Sequence, residues 1–454
     1  MLEPEKNPNS SLLVDPPGWM RRLNAILLGP EMDTRVIKKR RRKAEARRQR
    51  EGAPHVVEYF HQLDDPYSHL TAQVLATIVE RYNIVLQPHL IRPTGGANQP
   101  EFERLANWAR RDSELVAPYL GLKFPSGAGD VPDVALQELA GRLLAAAPAG
   151  DFINVLAPVS EALWTGNRTR LERRQGQIAS QADLNATLDA GSARLKELKH
   201  YSGATFYYGG EWYWGVDRLF HLEQRLRDLG VCRVPDRPFI APRPEIDVSG
   251  VDASHLRLDF YPSLNSPYTS IIYDRTIAMK KACGVQFHQK PVLPMIMRGV
   301  AITMAKGRYI MFDTKREADF AGVPYGKMVT PIGEPTRQAY SLLAWAKAQG
   351  KDEALMSSLL RHPFAMGVGL HTRSGMARAV EAAGLDWNEA KDIIGNDDWK
   401  PVVERNQEEM VEGMGLWGVP SYRLSGPDGE PDLAVWGQDR LWLVAAEIKR
   451  RSSL

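Results

Sequence analysis

Three short strings hold residue types that could do chemistry together. They are Asn265-Ser266-Pro267-Tyr268, Gly418-Val419-Pro420-Ser421 and Trp436-Gly437-Gln438-Asp439-Arg440-Leu441. A serine followed by proline at the head of an apolar pattern is a favoured helix start, with Ser266 at the N-cap and Pro267 at the first helical position. The same hydroxyl would sit on the positive end of a helix dipole, and both features stabilise an anion such as a thiolate. Two roles therefore stand side by side for Ser266: a plain cap, and a cap that also lowers a thiol pKa. A charge-assisted hydrogen bond is worth about 1.5–3 kcal/mol, or roughly 1–2 pKa units. That would bring a thiol from about 8.5 to near neutrality. No cysteine of the chain can be that thiol. Cys232 and Cys283 are the only two, far apart and without a CxxC, which excludes a disulfide framework and a dithiol redox motif. Asp439 precedes an amphipathic run and is expected to cap a helix. The ten histidines form neither HExxH nor a cluster with cysteine, so no metal site is read.

The elements that must position these strings come in pairs. Residues 56–70, VVEYFHQLDDPYSHL, match 256–270, LRLDFYPSLNSPYTS: an apolar strand, a polar turn, then Pro-Tyr opening a helix. IVLQPHLIRP at 84–93 and VQFHQKPVLP at 285–294 are short strands interrupted by proline. GEWYWGVDRL at 210–219 answers DLAVWGQDRL at 432–441. Between the second and third pairs lie long stretches with apolar residues at helical spacing. Each repeat thus reads as strand, helix, strand, helical middle, strand, strand, helix. The predicted organisation is a basic N-terminal extension (1–54), a first domain (55–230), a stiff Pro-rich linker (231–254) and a second domain (255–454).

Residues 415–441, GLWGVPSYRLSGPDGEPDLAVWGQDRL, closely resemble the C-terminal signature of 2-hydroxychromene-2-carboxylate isomerases. LDFYPSLNSPYTS resembles the N-terminal signature of the same family. These enzymes are related to kappa-class glutathione transferases and, more distantly, to bacterial disulfide oxidoreductases of the DsbA type. The resemblance covers both repeats, loosely in the helical middles. It implies an α/β fold of two tandem thioredoxin-like domains, each with a helical insertion. It further implies glutathione as cofactor, and isomerisation of an unsaturated aromatic-type acid by reversible thiol addition. In that reading Ser266 activates the thiol. Pro420 takes the cis-proline position, and the Val419 backbone pairs with the cysteinyl unit of glutathione. Asp439, with Gln438 beside it, meets the γ-glutamyl amine. Asn265, Tyr268, Lys290, Lys306, Arg308 and Arg440 are further candidates, the basic ones as anion contacts or, for Arg440, as a partner of a nearby carboxylate. A glutathione transferase, or a non-catalytic thiol- or peptide-binding module on the same scaffold, are the alternatives.

The first repeat departs from the pattern. Asp65 stands where the serine should be, and a carboxylate there would raise a thiol pKa. Ala204 stands at the cis-proline position, where a cis bond would cost about 2.5–4 kcal/mol, so a trans bond is expected. The repeat reads as a scaffold, with Asp64 and Asp65 as an alternative acid–base pair. Since single-domain relatives often pair as homodimers, the two repeats are expected to form such a pair within one chain.

Bulk properties set the remaining bounds. The 454 residues suffice for two or three domains. A composition of 43% hydrophobic and 25% charged residues is that of an ordinary globular protein. A net charge of +3 gives no global pull toward nucleic acid. No apolar run reaches the roughly 18 residues of a membrane span. MLEPEKNPNSSLLVDPPGWMRRL lacks the order of a secretory signal, and a cytoplasmic protein is expected. Ten basic residues crowd between Arg35 and Arg50. That run reads as a nucleic-acid or acidic-membrane contact, or simply as a solvated basic helix.

Overall fold

The computed structural model describes residues 13–127, 129–148, 150–173 and 178–453. Residues 1–12 of the expected N-terminal extension lie outside them. The chain divides into two units, one of residues 39–244 and a larger one of residues 1–38 with 245–454.

In the unit of residues 39–244, strand β1 (Val56–His61) pairs in parallel with β2 (Val85–Leu90) and antiparallel with β3 (Thr205–Tyr208), which pairs antiparallel with β4 (Glu211–Trp214). The order is β2-β1-β3-β4. Val57, Tyr59 and Phe60 of β1 are all fully buried, as expected for a central strand covered on both faces. Pro88 is accommodated within β2 because that strand lies at the sheet edge, where a ladder donor can be lost. The helical middle lies between β2 and β3, and its last helix, Gln181–Glu197, packs on β2. Gly191 permits the approach: a Cβ there would stand 2.0 Å from the Leu90 carbonyl.

The larger unit repeats this strand order. Strand β5 (Arg257–Tyr261) is flanked by parallel β6 (Gln286–Gln289) and antiparallel β7 (Ser421–Ser425), with β8 (Leu433–Trp436) antiparallel to β7. The order is β6-β5-β7-β8. The helix Pro267–Cys283 makes the crossover from β5 to β6, and the helix Leu441–Arg451 follows β8. Leu258 and Phe260 of β5 point to one face, where Phe260 stacks on Tyr422. Asp259 points to the other. It is wholly buried and hydrogen-bonds Arg423 at 2.6 Å and Arg257 at 2.9 Å.

Residues 14–21 of the expected extension, and the expected linker, are anchored to the units they adjoin. Val14 joins Ile296, Met297 and Ile332 in a core cluster, and Arg21 donates to the Thr330 carbonyl at 2.8 Å. The segment 231–254 holds no helix or strand, yet it is not a free spacer. Its first half is sewn to the unit of residues 39–244: Arg233 donates to the Val79 carbonyl, and the Ile240 N–H to Glu223. Its second half is sewn to the larger unit, the Ala253 N–H donating to the Cys283 carbonyl. No helix among the described residues is long and apolar enough to cross a membrane.

Burial alone would raise the Asp259 carboxyl, but hydrogen bonds from Arg423 and Arg257 and the charge of Lys290 outweigh it and hold it below the usual carboxylate range. Its contribution to stability is therefore present above the ordinary aspartate pKa and is lost as pH falls through the depressed value. Asp259→Asn should cost about 2 kcal/mol in urea unfolding at pH 7, the value of a hydrogen bond to a charged group. The gap to the parent should close as pH drops below about 4.

Candidate functional site

Chain direction and capping bring the first two strings together. β5 ends at Tyr261, and the turn that follows delivers Ser266 to the N-cap of the helix Pro267–Cys283. The Ser266 hydroxyl accepts the Thr269 N–H at 3.1 Å and donates to the Val419 carbonyl at 3.3 Å. Ser266 is 8% exposed. The Val419–Pro420 bond is cis, and a second cis bond, not foreseen from sequence, joins Gly426 to Pro427. The Pro420 carbonyl takes the Gly437 N–H at 2.9 Å, and the Ser421 hydroxyl donates to the Gly418 carbonyl at 2.9 Å. No acceptor among the described residues takes the Val419 N–H. Gly418 has a steric reason. A Cβ there would lie within 2.2 Å of three atoms of the Trp436 ring system, which tilts against Trp417 at 4.9 Å.

The third string is placed differently from expectation. Asp439 is not a helix N-cap: it lies inside the 3-10 turn Gln438–Arg440, which follows Gly437 without a side-chain cap, and Arg440 precedes the helix Leu441–Arg451. The turn leaves Asp439 within reach of its neighbour, with the Arg440 guanidinium 3.8 Å from the carboxylate. Gln438 is buried and donates to Glu317 at 2.5 Å. Asn265 accepts from the Thr330 hydroxyl at 2.8 Å.

The basic candidates have their own positions. Lys290 lies in the cluster of Asp259, 3.5 Å from that carboxylate, and also pairs with Glu409. It is held on a sheet-face ion network rather than offered as a loose anion contact. Arg308 is exposed, pairs with Glu31 at 3.2 Å and covers the Phe312 ring. Burial pushes the Lys306 ammonium down to about 8.

Two features escaped the sequence reading. The Tyr268 hydroxyl donates to the buried Asp313 at 2.8 Å, and in the other unit Tyr67 donates to the buried Asp112 at 2.8 Å. Each tyrosine lies 45 residues before its aspartate, a spacing visible in the sequence only once the two Pro-Tyr turns are aligned. The second is Arg298. Its Nε donates to the Leu293 carbonyl at 2.9 Å and its Nη2 to the Trp417 carbonyl at 2.5 Å. Burial pushes this guanidinium down to about 10. No carboxylate among the described residues pairs with it. Trp417 is 3% exposed, and its indole N–H has no acceptor among the described residues. One contact pair thus holds an uncompensated cation and an orphaned donor, two residues from Val419. Such groups are costly in a protein interior unless an anion or acceptor meets them.

Residues 257–449 match the DSBA-like thioredoxin domain. The DSBA-like segment runs from β5 into the final helix and contains Ser266, Pro420 and Asp439. A 2-hydroxychromene-2-carboxylate isomerase is similar at 18% identity and a TM-score of 0.36, over 42% of this chain and 94% of its own. A probable DsbA oxidoreductase from Streptomyces coelicolor is similar at 17% identity and 0.34, over 44% and 90%. The cytosolic disulfide reductase DsbM from Pseudomonas aeruginosa is similar at 16% identity and 0.33, over 43% and 98%. No curated protein matches the chain.

The unit of residues 39–244 keeps the hydrogen-bond frame and changes the residues at the helix cap and before the last two strands. The Gly215 N–H donates to the Ala204 carbonyl at 2.6 Å, and the Thr205 hydroxyl to the Ser202 carbonyl at 3.0 Å, in the manner of Gly437 with Pro420 and Ser421 with Gly418. Ala204 has φ 55°, and its bond is not among the cis bonds of the described residues. Asp65 caps its helix by accepting the N–H groups of Tyr67 and Ser68 and the Ser68 hydroxyl, the last at 2.7 Å. Burial pushes the Asp65 carboxyl up to about 6; bonds from Ser68 act against that, and neighbouring Asp64 adds to it. Folding binds this proton, so the stabilisation is complete below the ordinary aspartate pKa and lost as pH rises through about 6. Asp65→Asn, which keeps a cap acceptor, should stabilise the protein by on the order of 1–2 kcal/mol at pH 8. In thermal melts across pH, that gain should disappear below about pH 4.

Proposed function

We propose that residues 257–449 form a glutathione-dependent isomerase resembling 2-hydroxychromene-2-carboxylate isomerase, acting on an unsaturated aromatic-type acid. The observation that carries this reading is the Ser266 hydroxyl. It caps a helix of 17 residues and reaches the carbonyl before a cis proline, at a turn without cysteine. Of the two cysteines, Cys283 ends that helix and Cys232 lies beyond the helix Leu219–Asp228 of the other unit. Dithiol exchange at this turn therefore has no protein thiol to use, and a nucleophile must come with the ligand.

The residues present fit glutathione on chemical grounds: a hydroxyl donor at a helix N-terminus, a main-chain N–H without an acceptor at Val419, and a carboxylate at Asp439. When bound, glutathione supplies the thiolate that adds reversibly to an electrophilic double bond. Ser266 turns its proton from the Val419 carbonyl toward that sulfur and, with the helix dipole, favours the anion. Val419 holds the peptide by strand-like pairing. Asp439 balances the γ-glutamyl ammonium, while Gln438, tied to Glu317, fixes the turn that carries it. Arg298 meets a carboxylate of the substrate acid, with the Trp417 N–H as a second donor, and so orients it.

Ser266 and Gln438 already have internal partners. That favours, as a second reading, a thiol- or peptide-binding module that holds glutathione without turnover.

Calorimetric titration with glutathione separates these from a scaffold that binds none. The expected result is about one equivalent bound, weakened about tenfold or more in Asp439→Ala, the loss of one charged pair. Arg298→Gln should leave glutathione affinity within about twofold and weaken binding of cinnamate, a simple unsaturated aromatic acid, about tenfold. No binding at millimolar glutathione would sink the isomerase reading. Binding without turnover of any unsaturated acid would leave the module.

A further inference from the structure

The helix Gly18–Leu28 is anchored by one side and bare on the other. Arg21, 2% exposed, reaches inward to the Thr330 carbonyl and to Asp15. Trp19, Leu23 and Ile26 follow one another at i, i+4 and i+7 and so form one stripe on the opposite side. They are 64%, 45% and 69% exposed, and Leu27 beside them is 61% exposed. Of the fifteen large apolar side chains exposed among the described residues, five fall between Leu13 and Leu27. Scattered exposed apolar residues need no explanation, but a contiguous helical stripe marks an interaction surface.

After five intervening residues begins the helix Thr34–Arg50, with ten basic residues and Glu45 as its one acid. Arg41 and Arg48 are held by Glu211 and Glu45. Arg35, Lys38, Lys39, Arg42 and Lys43 are exposed. A solvated basic helix would account for this run alone, and leaves the preceding apolar stripe without a partner. A nucleic acid would use the cations and not the stripe. A second copy of the chain would cover the stripe and bring two basic runs of like charge into the same assembly. An anionic bilayer uses both: the apolar and aromatic side chains enter the headgroup–acyl boundary, and the lysines and arginines meet the lipid phosphates.

We propose that residues 18–50 dock the protein on anionic membrane surfaces. The Trp19/Leu23/Ile26/Leu27 stripe inserts, and the basic helix supplies the charge. Docking is interfacial and reversible, since the apolar stripe spans two helical turns and no helix of the described residues can cross the bilayer.

The test is co-sedimentation of the full chain with vesicles of phosphatidylcholine, alone or with roughly a third phosphatidylglycerol, at two salt concentrations. Binding should be about tenfold stronger or more to the anionic vesicles and should weaken with salt. Ile26→Glu should weaken it about tenfold, as should Lys38→Glu with Lys39→Glu. Both substitutions fall on exposed positions, and unchanged circular dichroism and melting will show that the fold is kept. Leu27→Asn gives a second variant without an added charge. Equal binding to neutral and anionic vesicles, or no binding to either, would overturn the proposal. So would Ile26→Glu leaving vesicle binding intact, duplex RNA binding that ignores Ile26→Glu, or a dimer that Ile26→Glu dissociates without any vesicle binding.

Discussion

The hydrogen bond from Ser266 to the Val419 carbonyl joins residues 153 positions apart. It links the start of the crossover helix to the turn that enters β7, and both must be placed before it can form. The helix is set by the Ser-Pro start and by Tyr268, whose hydroxyl is anchored on Asp313. The turn is set by the cis Val419–Pro420 bond, by Gly418 beneath Trp436, and by the Gly437 N–H on the Pro420 carbonyl. These contacts bring one hydroxyl, one helix N-terminus and one unpaired main-chain N–H near one another. A thiolate gains from each of those three.

The unit of residues 39–244 shows what the same frame does with other residues at the helix cap and the turn. Its strand order, Tyr–Asp anchor and turn hydrogen bonds have direct counterparts in the larger unit. At the cap it carries Asp65, whose acceptors are taken up by Tyr67 and Ser68. Next to it, a Cβ on Gly203 would crowd Gln62 at 2.8 Å, so the space beside the cap is filled by the unit's own atoms. An anionic sulfur would meet a carboxylate there instead of a donor.

What could be read from the sequence was local. The eight strands follow from short apolar runs and turn residues, and Ser266 at the cap from Ser-Pro-Tyr. The cis proline and the trans Ala204 followed from a motif in one case and from its absence in the other. What could not be read depends on partners far away in the chain. Lys290 looked available until the fold put it beside Asp259 and Glu409. No motif marks Arg298, and only burial and the lack of a carboxylate partner set it apart. The cap position was misplaced by one residue, because a 3-10 turn intervenes between β8 and the last helix and moves it from Asp439 to Arg440. The segment 231–254 looked like a stiff spacer because proline-rich composition says how a chain extends and nothing about what it packs against.

The central claim is that Ser266 stabilises a thiolate carried by the ligand. Ultraviolet absorbance of the thiolate, titrated across pH with glutathione bound to the protein and to Ser266→Ala, measures it directly. The account predicts a bound thiol pKa about 1–2 units below that of free glutathione, returning toward the free value in Ser266→Ala while binding persists. The same pKa in both proteins, with glutathione bound to each, would contradict it.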